Sequence, residues 1–378
     1  MNYVAPAWLP GGNLQTIWPA LYARRVFGAH PQYRRERWDT PDGDFIDVDF
    51  LQDGDDAPST TGLNPAAAPG APAKSGSDPN FARGLAGEVG ADANFGSDPD
   101  SGQPPPHARQ KPLLVLFHGL EGSSRSHYSE AFADFASEHG MAFCVPHFRG
   151  CSGELNRGPR AYHSGDFEEI GWVLARLKAR QPERELVAVG ISLGGNALMC
   201  WAAEMGESAA GIAHAVASVC SPIDLAAGGW AIGRGFNRLV YTRMFLNTMK
   251  PKALRKLAQH PGLFDRDALA AARDLYEFDN VFTAPLHGFK STEDYWARAS
   301  AKPRLARIRI PALVLNARND PFVPAWCLPH QNEVGDHVTL WQPAHGGHVG
   351  FPQGRVPGHV RHMPDAVGGW LVAKCRDG

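Results

Sequence analysis

Apolar residues in this chain cluster into short runs broken by glycine, proline and polar residues. Pro112–Gly119, Met141–His147, Leu186–Val189, Ala213–Val219, Ile310–Asn316 and Val338–Trp341 are such runs. Nearly continuous apolar runs of this length read as strands buried on both faces. Helical spacing separates them. Phe132–Glu138 is one such stretch, Ala366–Lys374 another, and Phe167, Ile170, Val173, Leu174 and Leu177 mark a third. Asp166 with Glu169 resembles a capping box at the start of that third helix. Strands alternating with helices predict a mostly parallel sheet flanked by helices. Ahead of it, Arg35–Trp38 and Phe45–Leu51 read as a hairpin turning at Thr40-Pro-Asp-Gly43. Phe45, Asp47 and Asp49 alternate there with Ile46, Val48 and Phe50.

Three stretches depart from this rhythm. Residues 4–25 are rich in Pro, Gly and Trp, and Trp8, Leu9, Leu14, Ile17, Trp18 and Leu21 are expected to cover an apolar surface. From 53 to 110 the chain is Ala, Pro, Gly, Ser and Asp without periodicity, which predicts a disordered insertion. From 225 to 307 the pattern is helical, with many basic and aromatic residues. This segment lies between two strands, so its path crosses the C-terminal ends of the sheet, where such sheets bind ligands. The expected division is an arm and hairpin (1–52), the insertion (53–110), a first core half (111–224), a helical cap (225–307) and a second core half (308–378).

Composition narrows the function more than the fold. The 378 residues are 43% hydrophobic and 20% charged, with a net charge of −2. A sizeable core follows, and nothing points to nucleic acid. The six cysteines form no C-x-x-C pair, which reads as reduced thiols. The N-terminus lacks a signal-peptide pattern and no apolar run reaches bilayer-spanning length. A soluble, cytoplasmic protein without an integral membrane segment is expected; its oligomeric state is not legible.

The candidate chemistry centres on Gly190-Ile-Ser-Leu-Gly194. It follows a strand and opens a helix, so Ser192 would stand at a sharp turn. A Cβ at 190 or 194 would collide with neighbouring backbone there. A serine hydroxyl needs a base, and the base an orienting acid, in chain order Ser, acid, His. Asp320, past the strand 310–316, is preferred as acid over Asp224, although Asn319-Asp-Pro321 is also an Asx-type turn. His348, in His345-Gly-Gly-His348, is preferred as base, with His345 expected to hold the loop. The two histidines could also be a zinc pair, but no third ligand accompanies them. The backbone N–H groups of Leu193 and Leu120 are the expected oxyanion donors. His118 is expected to fix its loop, and Arg149 to serve as a structural donor. In the cap, Phe236, Leu239, Val240 and Met244 fall on one side of an amphipathic helix, which would pack on the core or line a pocket. Phe245 and Trp230 are the candidate substrate contacts.

Taken together these motifs resemble the α/β-hydrolase superfamily, and within it the bacterial YheT-like proteins and their mammalian abhydrolase relatives. The resemblance rests on Trp8-Leu-Pro10, Asn13-Leu-Gln-Thr16, His118-Gly-Leu-Glu-Gly122, Phe148-Arg-Gly150 and Gly190–Gly195. It continues through Phe282–Phe289, Asn319-Asp-Pro-Phe-Val-Pro324 and Gly347-His-Val-Gly-Phe351. It implies an α/β-hydrolase fold with a helical cap between strands 6 and 7. It also implies carboxylester hydrolysis by Ser192, Asp320 and His348, without a cofactor. The expected substrate is a small-molecule or acyl-chain ester. The animal relatives carry a membrane anchor and act on acylglycerols or phospholipids. The alternatives are a lipase, phospholipase or thioesterase and, in another class, a non-catalytic binding protein of the same fold.

Overall fold

The computed structural model of the protein describes residues 2–52 and 110–376. The insertion expected over 53–110 falls, but for its last residue, outside the described residues.

Eight strands form one sheet in the order β1-β2-β4-β3-β5-β6-β7-β8. They are β1 (Tyr33–Asp39), β2 (Phe45–Leu51), β3 (Leu113–Phe117), β4 (Ala142–Pro146), β5 (Leu186–Ile191), β6 (Ala215–Val219), β7 (Ala312–Leu315) and β8 (Val338–Trp341). The pairings of β2 with β1 and with β4 are antiparallel, and all others are parallel. The continuous apolar runs have a simple cause. Val115 and Phe117 of β3, with Ala188 of β5, pack on one side of the sheet, while Leu114, Leu116, Val187 and Val189 pack on the other. Both faces are covered, so alternation vanishes from the sequence.

The hairpin alternates as expected, yet its polar face is also buried. Asp47 and Asp49 are covered, and each meets an arginine of β1: Arg37 at 2.8 Å and Arg35 at 2.7 Å. A buried carboxylate needs such a partner.

The helices of the core are α1 (Gly12–Leu21), α2 (His127–Glu138), α3 (Phe167–Arg180) and α4 (Leu193–Met205). The cap segment carries α5 (Leu225–Ile232), α6 (Arg243–Gln259) and α7 (Thr292–Ala299), and α8 (His362–Arg376) closes the chain. α3 and α4 cover one face of the sheet, α2 and α8 the other. At the head of α3, Asp166 accepts from the N–H of Glu169, but the Glu169 carboxylate turns to Arg149 instead of back to the cap. Among the described residues no helix is long and apolar enough to cross a membrane.

Two expectations are corrected here. Of the arm, Leu9 is buried and Ile17 packs on the cluster of Tyr241 and Phe322 as expected, but residues 12–21 form a helix whose buried side is Gln15, Thr16 and Pro19, while Leu14 and Leu21 face outward. In the cap, Phe236, Leu239 and Met244 are exposed, not packed inward. The inward side carries Tyr241, Thr242 and Leu246 instead. Tyr241 and Thr242 can be buried because their hydroxyls donate to Asn13 Oδ1 and Ile232 O. A wide turn at Arg238–Thr242, closed by the Arg243 N–H on Arg238 O, also breaks the simple helical register across the stripe.

Candidate active site

β5 ends at Ile191, and α4 begins at Leu193. Ser192 joins them with φ +52° and ψ −117°, a conformation L residues seldom adopt. The turn is possible because its flanks are glycine. A Cβ at 190 would lie 2.5 Å from the carbonyl oxygen of Gly194. One at 194 would lie 2.5 Å from the carbonyl oxygens of Phe117 and His118. The first turn of α4 points its N–H groups toward the Ser192 corner.

His348 reaches Ser192 from the loop after β8. Its Nε2 is 3.0 Å from Ser192 Oγ, and its Nδ1 is 2.9 Å from Asp320 Oδ2. Asp320 lies past β7, with its side chain fully buried. Its other oxygen accepts from the N–H groups of Phe322 and Val323 at 2.7 and 3.3 Å. The Asx turn and the contact with histidine therefore coexist on one carboxylate. Asp224 instead caps α5, accepting from the Ala227 N–H at 3.0 Å. The Phe322 ring lies against the imidazole, centroid to centroid 4.1 Å.

The loop after β3 closes over the serine. A Cβ on Gly119 would meet Ser192 Cβ at 3.3 Å. The Gly119 N–H donates to Tyr128 Oη, the Glu121 N–H to Tyr162 Oη, and the Gly122 N–H to Gly119 O. The N–H groups of Leu120 and Leu193 make no hydrogen bond within the described residues, and both residues line the cavity beside Ser192. His118 fixes this loop. Its Nδ1 lies 2.8 Å from Gly119 O, and its Nε2 accepts from the Phe148 N–H at 3.1 Å. Burial pushes its pKa down to about 3, so the ring stays neutral. Arg149 is structural too, held by Glu169, Asp42 and Asp44.

The base loop is held by residues that motif reading did not single out individually. His345 is exposed and, among the described residues, hydrogen-bonds only to Asn319, at 3.5 Å. The loop is tied instead to α1. Thr16 Oγ1 accepts from the His348 N–H at 2.8 Å, and Gln15 Oε1 accepts from the Gly346 N–H at 2.9 Å. Gln15 Oε1 also accepts from Asn319 Nδ2, whose own Oδ1 accepts from the Gly347 N–H. The signal was the Asn13-Leu-Gln-Thr16 motif, polar residues in an otherwise apolar arm.

A cavity of about 170 Å³ opens at Ser192 and His348. Phe245, Met249, Ala253 and Ile232 of the cap line it, together with Leu155, Leu225 and Phe322. Phe245 is thus a lining residue. Trp230 is not. It is partly exposed and stacks on Tyr276, because its edge packs on Trp296. Lys252 of α6 pairs with Glu121 at 2.9 Å beside the serine loop. Asp279, also lining the cavity, is pushed up to about 6 by burial despite donors from Thr283 and Trp296. Among the described residues no group of three His, Cys, Asp or Glu is placed to hold a metal ion.

A mostly parallel sheet, a strained serine at a strand–helix corner and a histidine reaching it from beyond the last strand define a hydrolase class. The chain belongs to the α/β-hydrolase family, described as "alpha/beta hydrolase fold", which matches residues 112–354. It is 39% identical to the Escherichia coli protein named "Putative esterase YheT", over 95% of this chain and 90% of that one. It is 30% identical to the phospholipase ABHD3 of Mus musculus over 68% of this chain, spanning 62% of the phospholipase's own length. The monoacylglycerol lipase of Saccharomyces cerevisiae is 28% identical over 64% of this chain and 55% of its own. Among solved structures, a puromycin hydrolase S511A mutant complexed with PGG superposes with a TM-score of 0.50. It is 14% identical, covering 92% of this chain and 39% of that one, a likeness of fold.

Proposed function

Beyond the class of reaction, ester hydrolysis by an α/β hydrolase, we propose that Ser192, His348 and Asp320 act as nucleophile, base and orienting acid. Ser192 Oγ attacks the ester carbonyl carbon while His348 Nε2 takes its proton. The carbonyl oxygen becomes an oxyanion facing the N–H groups of Leu120 and Leu193. As the carbon–oxygen bond to the alcohol breaks, His348 returns the proton to the departing oxygen. Water then attacks the acyl-enzyme, with His348 again as base, and releases the acid. Asp320 holds the imidazole by Nδ1 and stabilises its cation.

The observation that carries this reading is the unbroken hydrogen-bonded line from Asp320 through His348 to Ser192, at the mouth of a mostly apolar cavity. The apolar part of that lining, Phe245, Met249, Ile232 and Leu225 among it, favours an acyl-chain ester, because apolar walls reward buried methylenes. The esterase and lipase names of the relatives agree with that class. The test is hydrolysis of p-nitrophenyl esters by the purified protein and by Ser192→Ala and His348→Ala. Both variants should lose turnover by about 10⁴-fold or more while keeping the melting temperature of the parent. Parental turnover in Ser192→Ala would refute the assignment.

A further inference from the structure

We infer that the outer face of the cap around residues 234–244 is a docking surface for an anionic lipid bilayer. Of the apolar stripe that sequence spacing placed inside, Val240 packs against the cluster of Tyr241 and Phe322, and the other three side chains are outside. Phe236, Leu239 and Met244 are 51%, 73% and 52% exposed. One such residue on a surface is ordinary. Three are interleaved here with Arg234, Arg238 and Arg243, which are also exposed. Between Asp224 and Asp265 the chain holds seven arginines and lysines and no carboxylate side chain. Glu277, the acid that acts on Arg238, is already paired with Arg273. Asp274, beside Gly233, is likewise occupied, capping the Glu277 N–H. Large apolar side chains set among cations, with the neighbouring acids already engaged, are what an interfacial segment presents to headgroups and the acyl chains below them.

Position strengthens the case. A row of rings runs inward from this face: Phe236 to Tyr241 at 6.2 Å, Tyr241 to Phe322 at 4.5 Å, and Phe322 to His348 at 4.1 Å. Asn237 donates to Pro321 O and Tyr241 to Asn13 Oδ1, so the face adjoins the acid loop and the arm. Leu14 and Trp326, from those two segments, are also exposed. The surface therefore rims the cavity mouth, and a bilayer docked there would present acyl esters to it. That last step rests on the function proposed above, whereas the docking does not. A second copy of this chain fits the face poorly, because a symmetric contact would set the arginines against one another.

The test is co-sedimentation of the full-length protein with vesicles of phosphatidylcholine alone, or of phosphatidylcholine mixed with phosphatidylglycerol. The protein should partition onto the mixed vesicles and much less onto the neutral ones. Raising salt from about 0.1 M to about 1 M shortens the screening length from about 10 Å to about 3 Å and should release it. Arg238→Glu should weaken partition about fivefold or more, and Leu239→Asp about tenfold or more. Both side chains are exposed, so the variants should melt with the parent. Arg309→Glu, ahead of β7 and away from the cavity end of the sheet, should bind as the parent does. Ser192→Ala should too, even if it retains activity, which separates this inference from the catalytic one. Failure to bind the mixed vesicles, undiminished binding by Leu239→Asp, or a dimer or protein complex that Leu239→Asp dissolves would overturn it.

Discussion

Asp320 divides its carboxylate between two tasks. One oxygen closes the turn through Phe322 and Val323, and the other faces His348. Asp320→Asn should keep the turn but put an amide where the imidazole N–H must donate. Turnover on a soluble ester should drop by about 10⁴-fold. Asp224→Asn, at a helix cap remote from the histidine, should leave turnover within a few-fold and cost less than about 1 kcal/mol of stability. Steady-state rates and thermal melts on both variants check this pair. Phe245 gives a second reading at the same scale. Each acyl methylene buried against it contributes up to about 0.8 kcal/mol. Truncation by Phe245→Ala should shift the preferred p-nitrophenyl ester toward longer chains. An unchanged chain-length profile would remove Phe245 from the acyl path.

At the scale of elements, α1 brings together loops that lie 300 residues away in sequence. Thr16 holds the His348 backbone, and Gln15 bridges the acid and base loops through Asn319 and Gly346. The fit is close enough that a Cβ on Gly350 would fall on Gln15 O. Thr16→Val leaves the partly buried His348 N–H without its acceptor, at a cost of about 1 kcal/mol. In that variant kcat should fall about tenfold or more with KM nearly constant, since the imidazole is misplaced while the cavity walls are untouched. A change confined to KM would assign α1 to substrate binding instead. This element also marks where sequence reading stops. Buried strands and the serine corner were legible because each is written in adjacent residues: a run of apolar side chains, or glycines flanking a serine. The hold of α1 on the histidine loop is written in a few polar side chains whose partners lie hundreds of residues downstream. Neither hydrophobic period nor spacing encodes such a pairing. The cap stripe misled for a related reason: the segment is apolar on two sides, and periodicity alone does not say which one turns inward.

For the molecule as a whole, the sheet is a wall with apolar layers on both sides, and its C-terminal edge carries the candidate site. A mostly parallel sheet flanked by helices followed from the alternation of elements along the chain, whereas the order of its strands did not. The Arg35–Asp49 and Arg37–Asp47 pairs did not, since they depend on what covers the hairpin. Burying neutral histidines makes stability depend on pH. Burial depresses His118 and His163 to about 3 and His127 to about 4, from an ordinary 6.5. These groups bind protons more readily in the unfolded chain. Their contribution is therefore complete above about pH 6.5 and is lost as pH falls toward 4 and 3. At pH 5 each should have given up on the order of 1–2 kcal/mol. The melting temperature should fall steadily from pH 7 to pH 5. His118→Asn, if it folds, should flatten that fall, and an unchanged slope would take His118 out of the linkage.

The central claim is that Ser192 is a nucleophile activated by His348 and Asp320, and a fluorophosphonate probe tests it most directly. Such a probe bonds to an activated serine hydroxyl. Intact-mass and peptide analysis should find one adduct per chain, on the peptide carrying Ser192. The adduct should be absent in Ser192→Ala and greatly slowed in His348→Ala. An adduct on another serine, or labelling that persists in Ser192→Ala, would contradict the account.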